Sequence, residues 1–181
     1  MTLALVPGQA EQYCTFELGG EHYAVPDFCV REVLHDVAVT HVPSAPRFMR
    51  GAIGLGGHKL PVVDLGPRLG QAFCSTAART SVLIVEVQRE GLRMRLGLTA
   101  DSVGERVLLG AREVVPAPSF GTTVYMDSFI AGMGRHKEGL VLLLDVDRIL
   151  SASELLAAEE FAACAEVPTG FMVRPRALRP L

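Results

Sequence analysis

Residues 42–65 read VPSAPRFMRGAIGLGGHKLPVVDL, and this stretch decides the architecture that we predict. Its two prolines, Pro43 and Pro46, force extended backbone ahead of Phe48. Its glycines permit a tight turn with positive φ, and the apolar run over 60–65 then reads as a buried strand. The stretch supplies turns and a strand but no catalytic machinery, which is typical of a segment that presents a surface.

The overall composition limits the classes of protein and partner. With 181 residues, the chain suits one domain or two closely packed subdomains. A chain of this length buries roughly 70% of its unfolded surface, which is enough for a real core. Apolar residues make up 49% and the formal net charge is −3. This balance disfavours nucleic acid or an anionic membrane as the main partner.

The ends and the cysteines point to a cytoplasmic protein. The first ten residues lack the basic and apolar regions of a signal peptide, and no apolar run approaches the roughly 20 residues of a membrane helix. The cysteines show no C-x-x-C pair, so no local zinc or redox motif is present. We expect reduced and mostly buried thiols at Cys14, Cys29, Cys74 and Cys164.

Alternating apolar residues predict a series of short strands. A hairpin is predicted over 13–25 around Gly19-Gly20, and a second over 81–98 around Arg89-Glu90-Gly91. Further strands are predicted over 37–42, 60–65, 103–109 and 140–144. Many short strands without alternating helices favour β-barrels over a parallel sheet.

The remaining segments are predicted as helices and connections. Pro26 and the spacing of Val30, Val33 and Leu34 predict a short helix. Turn-rich connections are expected at Pro116-Ala117-Pro118 and over 132–139, and Asp145 or Asp147 is expected to cap a turn at Val146. Ser151 and Glu154 have capping-box spacing ahead of an alanine-rich C-terminal helix.

The segment 72–80 is read as the connection between two subdomains, at about 14–79 and about 80–147. Residues 152–181 form the C-terminal helix and a tail. The tail carries three arginines and no acid, so it is interpreted either as a docking peptide or as a frayed end.

No motif in the chain specifies chemistry. The glycines at 51, 54, 56 and 57 match neither phosphate-binding pattern, and a strand with Pro61 follows them instead of a helix. The histidines are scattered, without metal-ligand spacing or a triad order. A small hydrolase that uses Asp64, Asp101 or Asp145 in a cleft is the alternative from another class, and it requires a polar pocket with perturbed carboxylates.

Several motifs occur together in a characteristic order. They are Phe16-x-Leu18-x-Gly20-x-x-Tyr23-x-Val25, Val30-Arg31-Glu32-Val33, Val42-Pro43-x-Ala45-Pro46-x-Phe48-x-x-Gly51, Gly57-x-x-x-Pro61-Val62-Val63-Asp64-Leu65, Asp101-Ser102-Val103, Pro116-Ala117-Pro118, and Phe129-Ile130-x-Gly132 ahead of Leu142-Leu143-Leu144-Asp145-Val146-Asp147. In this order they resemble the CheW-like adaptor domains of bacterial chemosensory systems, over about 12–151.

The resemblance implies a mainly β fold of two SH3-like five-stranded barrels that share a core. It also implies a non-enzymatic adaptor without a cofactor. Such adaptors couple the cytoplasmic tip of a methyl-accepting chemoreceptor to a CheA-type histidine kinase at the inner membrane face, without inserting into the membrane. The alternative within the family is a regulator of a non-flagellar pathway, such as pilus motility or biofilm signalling.

The resemblance also implies the partner-binding residues. Val25, Val30, Glu32 and Val33 match positions near an apolar groove for the receptor helix, although plain core packing explains the valines equally well. Gly56, Gly57, His58 and Val103 complete the set. Where the family usually reads Asn-Leu-Arg-Gly, this chain reads Gly54-Leu55-Gly56-Gly57, so it lacks the arginine that the family uses in receptor binding.

Overall fold

A computed structural model describes residues 10–70, 79–116, 129–136 and 139–167. Eleven strands and two α-helices are found in these ranges. The strands are β1 Ala10–Leu18, β2 Glu21–Pro26, β3 Val30–Ala38, β4 Met49–Leu55, β5 His58–Val63, β6 Arg79–Arg89, β7 Leu92–Ala100, β8 Ser102–Gly110, β9 Val114–Val115, β10 Ile130–His136 and β11 Gly139–Leu144. The helices are α1 Leu65–Arg68 and α2 Ala152–Cys164, and 3-10 turns cover Asp27–Cys29 and Val146–Arg148.

The strands form two sheets that draw on different parts of the chain. The first sheet has the order β8-β1-β2-β11-β10-β9 and combines strands from both ends of the sequence. The second sheet has the order β3-β6-β7-β5-β4 and takes its strands from the middle. Each sheet contains one parallel pair, β2 with β11 and β5 with β7, and all other pairs are antiparallel.

Both sheets curl into barrels. In the first barrel, β8 leads into β9 through a turn in which the Glu113 N–H donates to the Gly110 carbonyl at 2.9 Å. Since β9 pairs with β10 at the far side of the sheet, this turn closes the circle. In the second barrel, Thr40 and Ala52 exchange two backbone hydrogen bonds of 2.9 Å, which join the chain after β3 to β4.

Each barrel has its own apolar interior, and a third apolar cluster lies between them. The interior of the first barrel contains Tyr13, Ala24, Val107, Leu109, Val141 and Leu143. The interior of the second contains Leu34, Val37, Ile53, Val62, Val82 and Ile84. The shared layer, called the seam here, includes Phe16 and Tyr23, whose stacked rings lie 5.7 Å apart, together with Leu83, Leu98 and Leu144. Two barrels with a shared core confirm the predicted fold class, with the two-residue β9 as a sixth strand in the first.

Helix α2 begins at the predicted capping box. The Ser151 hydroxyl accepts from the Glu154 N–H at 3.3 Å, and the Glu154 carboxylate accepts from the Ser151 N–H at 2.9 Å. Glu154 also forms an ion pair with Arg68, whose guanidinium lies 4.9 Å from the centre of the Phe48 ring. Burial alone would raise the pKa of Glu154, but these hydrogen bonds and Arg68 hold the pKa below its usual value.

Both predicted hairpins are confirmed. Gly19 and Gly20 have φ of 60° and 82°, and Glu90 and Gly91 have φ of 49° and 83°, as a tight two-residue turn between twisted strands requires. The strands predicted over 60–65, 103–109 and 140–144 correspond to β5, β8 and β11. The strand predicted over 37–42 is the end of β3 followed by the single bridge at Thr40.

Two segments differ from the prediction. The helix predicted around Pro26 to Leu34 is a single 3-10 turn followed by β3. The turn-rich connection predicted over 132–139 contains the strand β10 instead. The connection at 72–80 lies almost entirely outside the described residues, as do the tail from 168 and most of Pro116-Ala117-Pro118.

The described cysteines include two buried thiols and one exposed thiol. Burial raises the pKa of Cys14 to about 11 and that of Cys29 to about 12. Cys164 is exposed at the end of α2. No helix within the described ranges is long and apolar enough to cross a bilayer.

Candidate partner-binding surfaces

Three of the predicted site residues lie in the seam. Val25 is completely buried, and Val30 and Val33 are 9% and 7% exposed. All three belong to the apolar cluster between the barrels. Val25 therefore contributes to the core, whereas Val30 and Val33 reach the surface only at the edge of the seam.

Glu32 lies on β3 between these two valines and has an unusual environment. Its side chain is half-buried, and its buried Oε1 has no hydrogen-bond partner within the described part of the chain. The adjacent Arg31 does not help, because its guanidinium binds Glu86 at 2.8 Å. A carboxylate oxygen that is shielded from water and unpaired is costly, so a donor from a binding partner would stabilise it.

Arg31 takes part in a separate surface cluster across β3, β6 and β7. Glu86 accepts from Arg31 and also forms an ion pair with Arg93. The hydrogen bonds from both guanidinium groups lower the pKa of Glu86 to about 2. This carboxylate therefore stays ionised and keeps Arg31 directed away from Glu32.

Gly56, Gly57 and His58 lie together at the tip of the β4–β5 hairpin. The two glycines have φ of 56° and 81°, which forms the tight turn expected from the sequence. A Cβ atom at either glycine would meet no atom within 4 Å, so the tip projects into open space. His58 is exposed beside it.

The strand pair beside this tip contacts the C-terminal part of the chain. Gly54 and Lys59 are direct cross-strand partners, one pair away from the tip. The Lys59 Nζ donates to the Ala163 carbonyl at 2.9 Å. A Cβ at Gly54 would lie 3.1 Å from Val167 Cγ1, so the absence of a side chain at Gly54 lets Val167 approach the strand.

Val103 approaches the seam from the side opposite to β3. It is half-buried on β8, pairs with Phe16 on β1, and packs against the seam from the first barrel. The predicted residues thus form a group at the seam and a group at the hairpin tip.

The sequence interpretation missed Phe28. This residue lies in the 3-10 turn between β2 and β3, just before Val30, and is 53% exposed. The preceding Asp27 forms an ion pair with Arg106 on β8, which attaches the turn to the first barrel. The available signal was a large aromatic residue directly after Pro26-Asp27, where a surface turn is expected.

The carboxylates of the hydrolase alternative bind backbone N–H groups. Asp64 accepts from Gly66 at 2.9 Å, Asp101 from Gly19 at 2.7 Å, and Asp145 from Asp147 at 3.1 Å. Burial raises the pKa of Asp145, but its carboxylate caps the turn at Val146 as predicted. Asp64 and Asp145 thus cap the turns that follow them, and Asp101 binds the turn between β1 and β2, so each carboxylate has a structural role.

Comparison with known proteins identifies the family of this two-barrel fold. The family profile of the CheW-like domain matches residues 12–154. The chain belongs to the CheW-like family. Chemotaxis protein CheW of Klebsiella aerogenes is 28% identical over 152 residues, covering 84% of this chain and 89% of that protein. CheW of Rhizobium meliloti is 27% identical over 143 residues, covering 79% and 89%.

A solved structure supports the same assignment. The crystal structure of the scaffolding protein TtCheW from Thermoanaerobacter tengcongensis superposes with a TM-score of 0.68 at 26% identity. The match covers 81% of this chain and 96% of TtCheW. The CheW-like family thus places the chain among the adaptor and scaffolding proteins of chemotaxis signalling.

Proposed function

We propose that this CheW-like protein is a non-enzymatic adaptor that couples a chemoreceptor to a CheA-type histidine kinase at the cytoplasmic face of the membrane. The match to the CheW-like domain over 12–154 carries this proposal. The receptor and the kinase occupy separate surfaces of the adaptor, so the adaptor works through shape and contact area, without a cofactor.

The receptor is expected at the edge of the seam. Val30 and Val33 supply apolar area there, and the exposed ring of Phe28 extends it. An amphipathic helix of a receptor tip fits such a surface, because its apolar face meets the valines while a polar side chain reaches Glu32. The hairpin tip with Gly56, Gly57 and His58 adds a second contact, and the homologous domain of the kinase packs against one barrel end.

Glu32 offers the sharpest test of the receptor contact. Replacing Glu32 by Gln keeps the shape but removes the charge, so a partner cation or donor loses a charge-assisted bond. We expect receptor-tip affinity to fall about tenfold, which corresponds to about 1.4 kcal/mol. Titration of a receptor-tip fragment measures this, with Glu159→Gln on the exposed face of α2 as the matched control. Equal affinities of both variants would contradict the assignment of Glu32.

A second variant adds the arginine that this chain lacks at position 56, whereas the Glu32 variant removes a charge. Gly56→Arg restores the side chain that the family usually carries at this position, and its Cβ would meet no atom within 4 Å. We expect tighter receptor binding, although the positive φ costs roughly 1 kcal/mol of stability. Unchanged receptor affinity would show that the missing arginine is irrelevant to this contact.

The complete proposal is tested by reconstitution. We expect co-purification with a CheA-type kinase and a change in kinase autophosphorylation when receptor tips are added. Signal can pass through the adaptor only if its contacts differ between the two kinase states. Failure to bind any CheA-type kinase from the same cell, in a folded protein, would overturn the proposal.

A further inference from the structure

The open end of the first barrel forms a cleft that is lined by none of the residues assigned above to the seam edge or the hairpin tip. Its volume is about 250 Å³, and its walls come from five strands. The polar residues that line it are Thr15, Glu17, His22, Ser102, Glu105 and His136.

Strand geometry directs these side chains to the mouth of the barrel. Thr15 pairs with Ala24, which belongs to the barrel interior, and Glu17 pairs with His22 one step further out. Cross-strand partners point to the same face of a sheet, so both pairs continue the interior column towards the opening. Apolar residues fill the interior, and polar residues replace them at the rim.

A β-bulge shapes the wall of the cleft that β1 forms with β8. The register of β1 against β8 shifts between Cys14 and Phe16, and bulges are common at barrel rims next to functional sites. The Thr15 hydroxyl donates to the Glu105 carbonyl at 2.7 Å. A Cβ at Gly104 would lie only 2.5 Å from this hydroxyl oxygen, so a glycine is required there. The bulge thereby fixes the backbone that carries Glu105.

The cleft is acidic. It contains the carboxylates of Glu17 and Glu105, and none of its described lining residues is a lysine or an arginine. Among the described residues, the Glu17 carboxylate accepts a hydrogen bond from the Ser102 hydroxyl at 3.3 Å, and the Glu105 carboxylate lies 3.2 Å from the His136 Nε2. Arg106, the neighbour of Glu105, pairs with Asp27 instead. A cleft lined by one sign of charge concentrates the field and attracts the opposite charge.

The apolar part of the cleft suits an aliphatic chain. The buried Phe16 and Val141 line its inner part, and Leu140, which is 57% exposed, lies at its edge. Lysine and arginine bury such a stem along apolar surface while the charged end meets polar groups. The volume is below the range of about 300–1,000 Å³ of small-molecule sites, and it is better matched to one side chain.

We propose that this cleft binds a lysine or arginine side chain of a partner protein between Glu17 and Glu105. The stem of that side chain lies on Leu140, and its charged end is held by the two carboxylates. The proposal does not depend on the identity of the receptor or the kinase, so it survives or fails separately from the proposed function.

Peptide probes test this site on the intact protein. A short peptide with one arginine, acetyl-Gly-Arg-Gly-amide, is titrated while amide NMR shifts are followed. We expect saturable shifts at Thr15, Glu17, Gly104 and Gly139, with a millimolar dissociation constant. The citrulline analogue has nearly the same shape but no charge, and it should shift these amides at least about fivefold less at equal concentration.

Single-residue variants test which carboxylates bind the arginine peptide. Glu17→Gln and Glu105→Gln should each weaken arginine-peptide binding by about threefold to tenfold, whereas Glu159→Gln on α2 should leave it unchanged. All three positions are at least partly exposed, so folding is maintained, and the same NMR spectra verify it. Equal binding of the arginine and citrulline peptides, or no effect of either glutamine at the rim, would overturn the proposal.

A free polyamine is the competing source of positive charge. Spermidine is therefore titrated in a separate experiment. Binding of spermidine more than tenfold tighter than that of the arginine peptide would assign the cleft to a small-molecule cation and would contradict a partner side chain. Weaker or equal binding of spermidine supports the proposal.

Discussion

Replacing Gly97 by alanine tests the packing inside the second barrel. Gly97 is buried on β7, opposite Ile84 of β6 and Val62 of β5. A Cβ there would lie 2.6 Å from Val82 Cγ1 and 3.3 Å from Val62 Cγ2. Valine is restricted at χ1, so these methyl groups cannot rotate away without strain. One added methyl group therefore has to push two neighbouring strands apart.

The expected cost follows from this geometry. Overpacking a core costs about 1–3 kcal/mol, and the loss of backbone freedom in the unfolded chain returns about 0.4–1 kcal/mol. We expect Gly97→Ala to lower the free energy of unfolding by about 1.5 kcal/mol and the melting temperature by roughly 3–6 °C. Urea unfolding followed by far-UV circular dichroism measures it, since the chain has no tryptophan.

Gly134→Ala is the matched comparison in the first barrel. The atom closest to a Cβ there is Leu109 Cδ1 at 2.6 Å, the far end of a leucine side chain that changes rotamer more easily, and the nearest valine atom is Val141 Cγ1, at the longer distance of 3.1 Å. We expect a smaller loss, below about 1 kcal/mol. The order of the two variants thus reports the stiffness of the neighbouring side chain, since the closest distance is the same.

A double variant isolates the contact. Val82→Ala alone leaves a cavity and costs about 2 kcal/mol, but combined with Gly97→Ala it also removes the obstructing methyl group. The double variant should therefore be about 1 kcal/mol more stable than the sum of the single losses predicts. Additivity within about 0.5 kcal/mol would refute the argument that Val82 opposes a side chain at position 97.

Two further predictions concern titration and thiol chemistry. The pKa of Glu154 is lower in the folded protein than in the unfolded chain. The ionised carboxylate therefore stabilises the fold above the unfolded pKa of about 4.3, and this contribution is lost as the pH falls through the folded pKa. Between about pH 5 and 3, the free energy of unfolding should fall less steeply in Glu154→Gln than in the native protein. In a Cys74→Ser background, a thiol reagent at pH 8 should modify Cys164 rapidly, with Cys14 and Cys29 reacting only after unfolding, and fast modification of either would contradict their burial.

The helix that was wrongly predicted over 26–34 shows how hydrophobic periodicity can indicate the wrong type of element. The buried residues Val30, Val33, Leu34 and Val37 have the i, i+3, i+4, i+7 spacing of a helix face. In the structure this spacing arises because β3 contains register shifts between Val30 and Glu32 and between Leu34 and Val37. Each bulge interrupts the alternation of a strand. A bulge depends on the partner strand, here β6, which begins more than 40 residues later.

The wrong prediction over 132–139 has a different cause, which is the role of its glycines. The segment 132–139 was predicted as a connection because its glycines are typical of turns. In β10, however, a Cβ at Gly132 would lie 2.9 Å from the Val115 carbonyl oxygen, and one at Gly134 would meet Leu109. These glycines permit close packing inside a strand, and sequence alone does not show which atoms approach. The capping box of α2 and both two-residue turns were predictable because their determinants are local.

The candidate surfaces were predictable only in part. Motif order placed Val30, Glu32 and Val33 together, and the structure puts them on one strand at the seam. The Glu32 Oε1, which is buried and has no partner among the described residues, and the exposure of Phe28 depend on neighbours from other strands, so they required coordinates. The acidic cleft of the first barrel was equally hidden, because β1, β2, β8, β10 and β11 meet there only after folding.

The β4–β5 hairpin illustrates how distant residues control a surface that has few side chains of its own. Gly56 and Gly57 offer only backbone groups, so a partner that contacts these two residues recognises the positions of N–H and C=O groups and the shape of the turn. Those positions depend on the strand pair beside the tip, where Lys59 binds the Ala163 carbonyl and Val167 approaches Gly54. Recognition by backbone requires a fixed backbone, because an ordering cost would otherwise reduce affinity. The C-terminal helix therefore helps to fix the backbone of the hairpin tip, although it is separated from the tip by about a hundred residues.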